Sequence, residues 1–179
     1  PAEPFADVKA RAAAAVEAAR EELLDLSHRI HANPEPAFEE HQAATWVAEA
    51  LQAHGFTVEH PAGSLATAIR AVRRGGRGSD GPRIGILAEY DALPGLGHGC
   101  GHNTMAASGV GAAIALAAIA DELPGEIVFL GRLHGVPTPV NELLQRLANR
   151  MAADGRPPGS VAAEDVLARP GVVPRRGNR

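Results

Sequence analysis

The chain has 179 residues, 45% hydrophobic but only 3% aromatic, so it can form one domain whose core is built from small, closely packed aliphatic side chains. A formal net charge of −4 excludes a broad basic surface for nucleic acid or an anionic membrane, the arginines of the far C-terminus being a local exception. The single cysteine excludes an internal disulfide, and the longest apolar run, residues 112–120, is well short of the roughly 20 residues needed to cross a bilayer.

The N-terminus lacks the basic-then-apolar profile of a signal peptide, so a reduced, cytoplasmic location is expected. From Phe5 to about His31, alanines and leucines recur between charged residues ("VEAAREELLDLSHRI"), which predicts a helix that "NPEP" then breaks. A second helix is predicted from Ala37 to His54, with Ala43, Val47, Ala50 and Leu51 on one face and Gly55 as a left-handed C-terminal stop. "FTVEH" and "LATAIRAV" read as short strands, and Arg73 to Pro82 as an exposed loop.

"RIGILAEY" is a near-continuous apolar run of the kind buried on both faces in a parallel sheet. A glycine-rich turn follows, then a helix running to Leu123 with Asn103 or Thr104 as its cap, and "GEIVFLG" is the next buried strand. Alternation of this kind predicts an α/β fold with helices packed on a mostly parallel sheet, in which sites gather beyond the carboxyl ends of the strands. Cys100 lies in that position.

Four readings of Cys100 compete. A lone cysteine is often a buried filler, but Gly97, His98, Gly99, Gly101 and His102 offer no apolar face for it. Glycines between a strand and a helix could cradle a phosphate. The dinucleotide fingerprint nevertheless fails, because its third glycine would fall on Cys100 or His102. A nucleophile would need His98 or His102 as its base within one turn. The metal reading uses more of the residues: in an extended turn, side chains at i and i+2 point the same way, so Cys100 sulfur and His102 nitrogen can converge on one ion. Asp91, directly after the strand, can either orient a ligating imidazole or accept the N–H groups of its own turn.

"LSHRIHANPEPAFEEHQAATWVAEALQAHGFTVE", "GILAEYDALPGLGHGCGHN" and "GEIVFLG" together resemble, in order and spacing, the N-terminal part of the zinc- or manganese-dependent amidohydrolases and dipeptidases. That family includes hippurate hydrolases, aminobenzoyl-glutamate hydrolases and related aminoacylases. The resemblance runs from Leu26 to Gly131. It implies the partial catalytic domain of a co-catalytic metallopeptidase fold, with Cys100 and His102 as ligands of a divalent metal, zinc or manganese, and Asp91 as the carboxylate that orients the imidazole. Asn103 is similar to the aminobenzoyl-glutamate and dipeptide-cleaving branch, since hippurate-type members carry Asp there. His31, Pro34, Glu35 and Glu40 match the family's N-terminal pattern and are assigned to structure, while His28, His41, His54 and His60 are left as surface or helix histidines. The implied reaction is hydrolysis of the amide bond of a small N-acyl amino acid or dipeptide by a metal-activated water.

The family's Thr-Pro-Ala-Glu-Glu-Gly-like turn, which supplies the general base and another ligand, has no counterpart. Gly131 is followed by "RLHGVPTPVNEL", with no acidic residue before Glu142, so no general base is identified. His134 stands near the expected turn as an extra, weak ligand. "GVPTPVNELLQRLANRMAADGRPPGSV" resembles instead the C-terminal end of ketopantoate reductase-type enzymes. Three regions follow: a partial hydrolase domain over 1–131, a foreign-looking turn and helix over 132–155, and a disordered basic tail over 156–179. Two kinds of function are compatible with this: a metal-dependent hydrolase needing another chain to complete its site, or a non-catalytic remnant acting through its surfaces. In either case apolar surface and an unpaired sheet edge favour self-association.

Overall fold

The computed structural model describes residues 5–78 and 80–131, which lie within one compact unit, Pro1–His134. The sequences assigned to the foreign-looking helix, the basic tail and His134 lie outside the described residues.

The alanine-rich N-terminal stretch forms two helices, α1 (Ala6–Ala18) and α2 (Arg20–Ala32), rather than one. They part at Ala19, and each then lies along the same long helix, α4 (His102–Ala118). A run of alanines carries no local signal for such a break. α1 buries no residue of its own, whereas α2 buries Leu26, Ser27 and Ile30. Arg11 of α1 pairs with Asp121 at 2.7 Å, tying that helix to the short 3₁₀ turn Ala120–Glu122.

α3 (His41–Ala53) starts four residues later than its composition suggests. The Glu35 carboxylate accepts the backbone N–H groups of Gln42 and Ala43 at 3.0 Å, so the acid caps the first turn and the chain from Pro36 to Glu40 stays outside it. Ala43, Val47, Ala50 and Leu51 are buried as expected. Gly55 ends the helix at φ +80°, with Gly55 N–H donating to Gln52 O and Phe56 N–H to Leu51 O, the paired bonds of a glycine-terminated helix. Glu40 is fully buried and accepts from the Thr67 hydroxyl at 2.8 Å, linking the start of α3 to the segment that leads into the strand beginning at Ile69.

The strands are β1 (Thr57–Glu59), β2 (Ile69–Arg74), β3 (Arg83–Ala88) and β4 (Glu126–Gly131), in spatial order β1-β2-β4-β3. The α/β class and the helix-on-sheet packing are those expected, but the sheet is mixed. β3 pairs parallel to β4 through the α4 crossover, whereas β2 pairs antiparallel to both β1 and β4. The reason is topological. A parallel neighbour requires a long crossover, which α4 provides between β3 and β4, while the short link between β1 and β2 makes a hairpin.

Ile69, Ala71, Ile86, Ala88, Ile127 and Phe129 form the sheet side of the core, against Leu26, Ile30, Val47, Leu51 and Val110 of the helices. α4 approaches closely at Gly109, where an added Cβ would stand 3.1 Å from Ala88 and 3.2 Å from Phe129. β3 is therefore not buried on both faces: Ile86 and Ala88 are covered, but Leu87, on the opposite side, is 72% exposed. Among the described residues all four helices pack on one side of the sheet or on one another, so the period of two reappears in the burial of β3.

Candidate metal centre

β3 ends at Ala88, and the three residues that follow, Glu89, Tyr90 and Asp91, continue the alternation of side chains. Tyr90 is fully buried and donates its hydroxyl to Thr67 O. With Tyr90 turned into the core, Glu89 and Asp91 face the other way. The chain is held there by a bridge between Pro36 and Ala92 and by the Ala92 N–H bond to Glu35 O at 2.7 Å. Glu35 thus serves twice, its side chain capping α3 and its backbone fixing the turn after β3.

Across from these carboxylates stands the N-terminus of α4. The expected caps are not used: Gly101 is the N-cap residue at φ +82°, and no side chain caps the helix. The Thr104 hydroxyl donates to Gly101 O at 2.7 Å, and Asn103 is turned inward, its amide donating to the Ser27 hydroxyl at 3.0 Å. His102 is consequently the first residue of α4, with Asn103 anchoring it to α2 behind and the carboxylates in front.

His102 Nδ1 lies 2.9 Å from Asp91 Oδ1, and Nε2 lies 3.2 Å from Glu89 Oε2. A carboxylate only accepts, so the Nδ1–H donates to Asp91, and the contact fixes the ring plane. Asp91 and His102 are largely sheltered, with side chains 13% and 20% exposed, while Glu89 stands at the rim at 54%. One donor atom from each of Glu89, Asp91 and His102 lies within 4.8 Å of the others. A carboxylate oxygen beside an imidazole nitrogen, with a second carboxylate holding the ring, suits a divalent cation of intermediate hardness, so the residues present fit such an ion. Cys100 is exposed, with its thiol 3.9 Å from Asp91 O, and is not among those three. The fold brings Asp91 and His102 together; Glu89 is a residue that motif reasoning passed over.

Behind the turn, His98 is buried against His31, their ring centroids 6.1 Å apart. Neither ring nitrogen makes a hydrogen bond of good geometry, although the backbone at Ile30 comes near enough to offset part of the effect of burial. Burial first, and the neighbouring His31 second, push the His98 imidazole below its ordinary value. His98 so disposed is a packing element of the turn. His54 pairs with Glu22 at 3.0 Å and the His60 ring meets Ala68 O at 3.2 Å, away from the site. Among the described residues no helix is long and apolar enough to cross a membrane.

No family model matches the chain. Proteins and solved structures similar to the chain include amidohydrolases and peptidases, matched over part of their length. The mouse (Mus musculus) protein named Xaa-Arg dipeptidase is 40% identical over 144 residues, covering 69% of this chain and 31% of the relative. A p-aminobenzoyl-glutamate hydrolase component of Escherichia coli (strain K12) is 37% identical over 119 residues, 57% of this chain and 24% of the relative. A solved Bacillus subtilis structure, a dinuclear metal binding peptidase from the M20 family, superposes with a TM-score of 0.59 at 26% identity, covering 75% of this chain and 40% of that one. The match therefore spans 31% and 24% of the length of these two curated relatives.

Proposed function

We propose that this chain carries the metal-holding end of an amide- or peptide-bond hydrolase acting on small dipeptides or N-acyl amino acids. The observation that supports the reading best is the Asp91–His102 pair: the 2.9 Å contact through Nδ1 leaves Nε2 as the nitrogen directed toward a ligand. In this reading His102 and Cys100 hold a divalent ion, zinc or manganese, and Asp91 keeps the imidazole in its tautomer. When bound, the ion supplies Lewis-acid polarisation of the scissile carbonyl and lowers the pKa of water.

The chain's own residues orient and exclude. Asp91 accepts the hydrogen bond from Nδ1–H, the Asn103 amide fixes the first turn of α4, and the buried Tyr90 keeps the two flanking acids on one side of the strand end. A general base is not assigned among the described residues, so turnover rests on groups beyond them, whether elsewhere in a longer chain or in a second one. His134 stands as an auxiliary ligand in the same proposal, and residues 132–155 and 156–179 as separate regions, the former resembling the end of a ketopantoate reductase. Self-association through the open side of the sheet around Leu87 belongs to it as well.

The test is elemental analysis of the purified full chain, combined with hydrolysis assays on dipeptides and N-acyl amino acids with added zinc or manganese. Stoichiometric metal with turnover is the expected result for a site completed from beyond residue 131. Stoichiometric metal without turnover would reduce the function to binding, and absence of metal at saturating concentrations would overturn the proposal.

A further inference from the structure

Glu89 belongs to no residue set that the family resemblance carries over, yet its carboxylate stands 3.2 Å from the working nitrogen of His102. Period-two alternation after β3 sends Glu89 and Asp91 to the same side of the chain, with Tyr90 locked in the core between them. The two acids then divide the imidazole. Asp91 takes Nδ1 at 2.9 Å, and Glu89 Oε2 faces Nε2 at 3.2 Å.

Two donors bound at about 2.0 to 2.1 Å to one ion, with ligand–metal–ligand angles between about 90° and 109°, are about 2.9 to 3.4 Å apart. The Nε2 to Oε2 separation of 3.2 Å falls inside that interval. A separation in that interval is the one that two ligands of a common ion show. Asp91 Oδ1, by contrast, lies on the other edge of the ring. Exposure agrees with this division: the side chain of Asp91 is sheltered at 13%, and that of Glu89, at 54%, can turn about its own χ angles to meet an ion at the rim.

We infer that Glu89 is a direct ligand of the divalent ion held by His102, supplying an anionic oxygen to a centre that otherwise rests on Cys100 and His102. The inference rests on the metal reading of this site and deepens it. A carboxylate in the set hardens the site, shifting its preference from zinc towards manganese relative to a thiolate–imidazole pair.

The plain alternative is a rim ion pair between Glu89 and His102, of the kind that contributes little. The two roles respond to removal in opposite directions. A ligand, once lost, weakens metal binding; a carboxylate that only occupies the space in front of Nε2 leaves binding unchanged or, as a competitor, strengthens it on removal. The experiment is titration of the metal-stripped full chain with zinc and, separately, manganese by calorimetry, comparing the parent chain with Glu89→Gln and Glu89→Asp.

Glu89→Gln is isosteric and lies at the surface, so its circular dichroism and thermal midpoint should match those of the parent. Its dissociation constant for manganese should rise at least about tenfold, in line with losses seen on weakening metal-site contacts. The rise for zinc should be smaller, because the remaining thiolate and imidazole suit that ion better. Glu89→Asp, which keeps the charge on a shorter arm, should fall between. Equal or tighter binding by Glu89→Gln would overturn the Glu89 assignment while leaving the site itself intact. A parent chain that binds neither metal would overturn the metal reading and the Glu89 assignment with it.

Discussion

Replacing Asn103 by alanine tests whether the site is held from behind as the structure indicates. The side chain is 7% exposed, and its amide donates to the Ser27 hydroxyl at 3.0 Å; the further approach to Ser27 O, at 3.4 Å, is too long to count for much. Losing one such bond costs about 1 kcal/mol, and leaving the buried Ser27 groups short of a partner adds about 1 to 2 kcal/mol more. A destabilisation of about 2 to 3 kcal/mol is expected. It should be readable as a lower urea midpoint at unchanged slope, with Trp46, the only tryptophan, reporting the transition.

Ser27→Ala should cost about 1 to 2 kcal/mol, and the double variant should recover about 1 kcal/mol of the sum, because each change already removes the shared bond. Asn103 directly follows His102, so Asn103→Ala should also weaken metal binding severalfold by freeing the first turn of α4. Asn103→Asp keeps the shape but places an acid in a buried site, which raises the folded-state pKa of that acid. Its contribution to stability is present below the ordinary carboxylate range and lost as pH rises through the raised folded value, so the variant should approach the parent in acid and fall behind at neutrality. A cost below about 0.5 kcal/mol for Asn103→Ala, or no coupling to Ser27, would refute the reasoning.

Asp91→Asn, which removes the anion that fixes His102 Nδ1, should weaken metal binding by about 10- to 100-fold while unfolding normally, as calorimetry beside a denaturant curve would show. Burial holds His98 below its ordinary value of 6.5. Its contribution to stability is therefore complete above that value and lost as pH falls through the lowered folded-state value, and His98→Asn should flatten the acid limb of a stability–pH profile. Gly55→Ala combines φ +80° with a Cβ 2.1 Å from Arg73 Nη1, a guanidinium that donates to His54 O at 2.8 Å, and should lower the urea midpoint by an amount equivalent to about 1 to 3 kcal/mol. Leu87→Lys, at a position 72% exposed, should leave the melting temperature nearly unchanged and reduce concentration-dependent association in sedimentation velocity. Unaltered association would place the contact elsewhere.

The parts of this fold legible in the sequence are those with a local cause. The α3 face, the Gly55 stop and the strand "EIVFLG" each follow from periodicity or from one residue's conformational preference, and all appear where expected. What escaped is non-local. The break at Ala19 has no local marker, and the late start of α3 depends on Glu35 reaching forward to Gln42 and Ala43. The capping of α4 went astray for the same reason: Asn103 has the right chemistry for a cap, but α2 offers Ser27 at 3.0 Å, and burying that bond prevails over a local one. The mixed sheet turns on whether β2 pairs by hairpin or crossover, which the apolar pattern of a six-residue strand does not encode.

The same distinction explains the site. Cys100 and His102 could be paired from spacing because they sit two residues apart in a glycine-rich turn, whereas the role of Asp91 came from the family resemblance. Glu89 carried no such mark, yet its placement follows from two facts, one of them in the sequence. Residues i and i+2 of an extended strand share a side, so in "AEYD" any force that commits the middle residue commits both neighbours the opposite way. The aromatic ring of Tyr90, the only tyrosine, is that force: fully buried, with its hydroxyl satisfied by Thr67 O, it could not exchange sides without exposing the ring and burying two carboxylates. The core of the domain thus sets the charge facing His102, and Tyr90 joins the packing of the sheet to the chemistry at its edge.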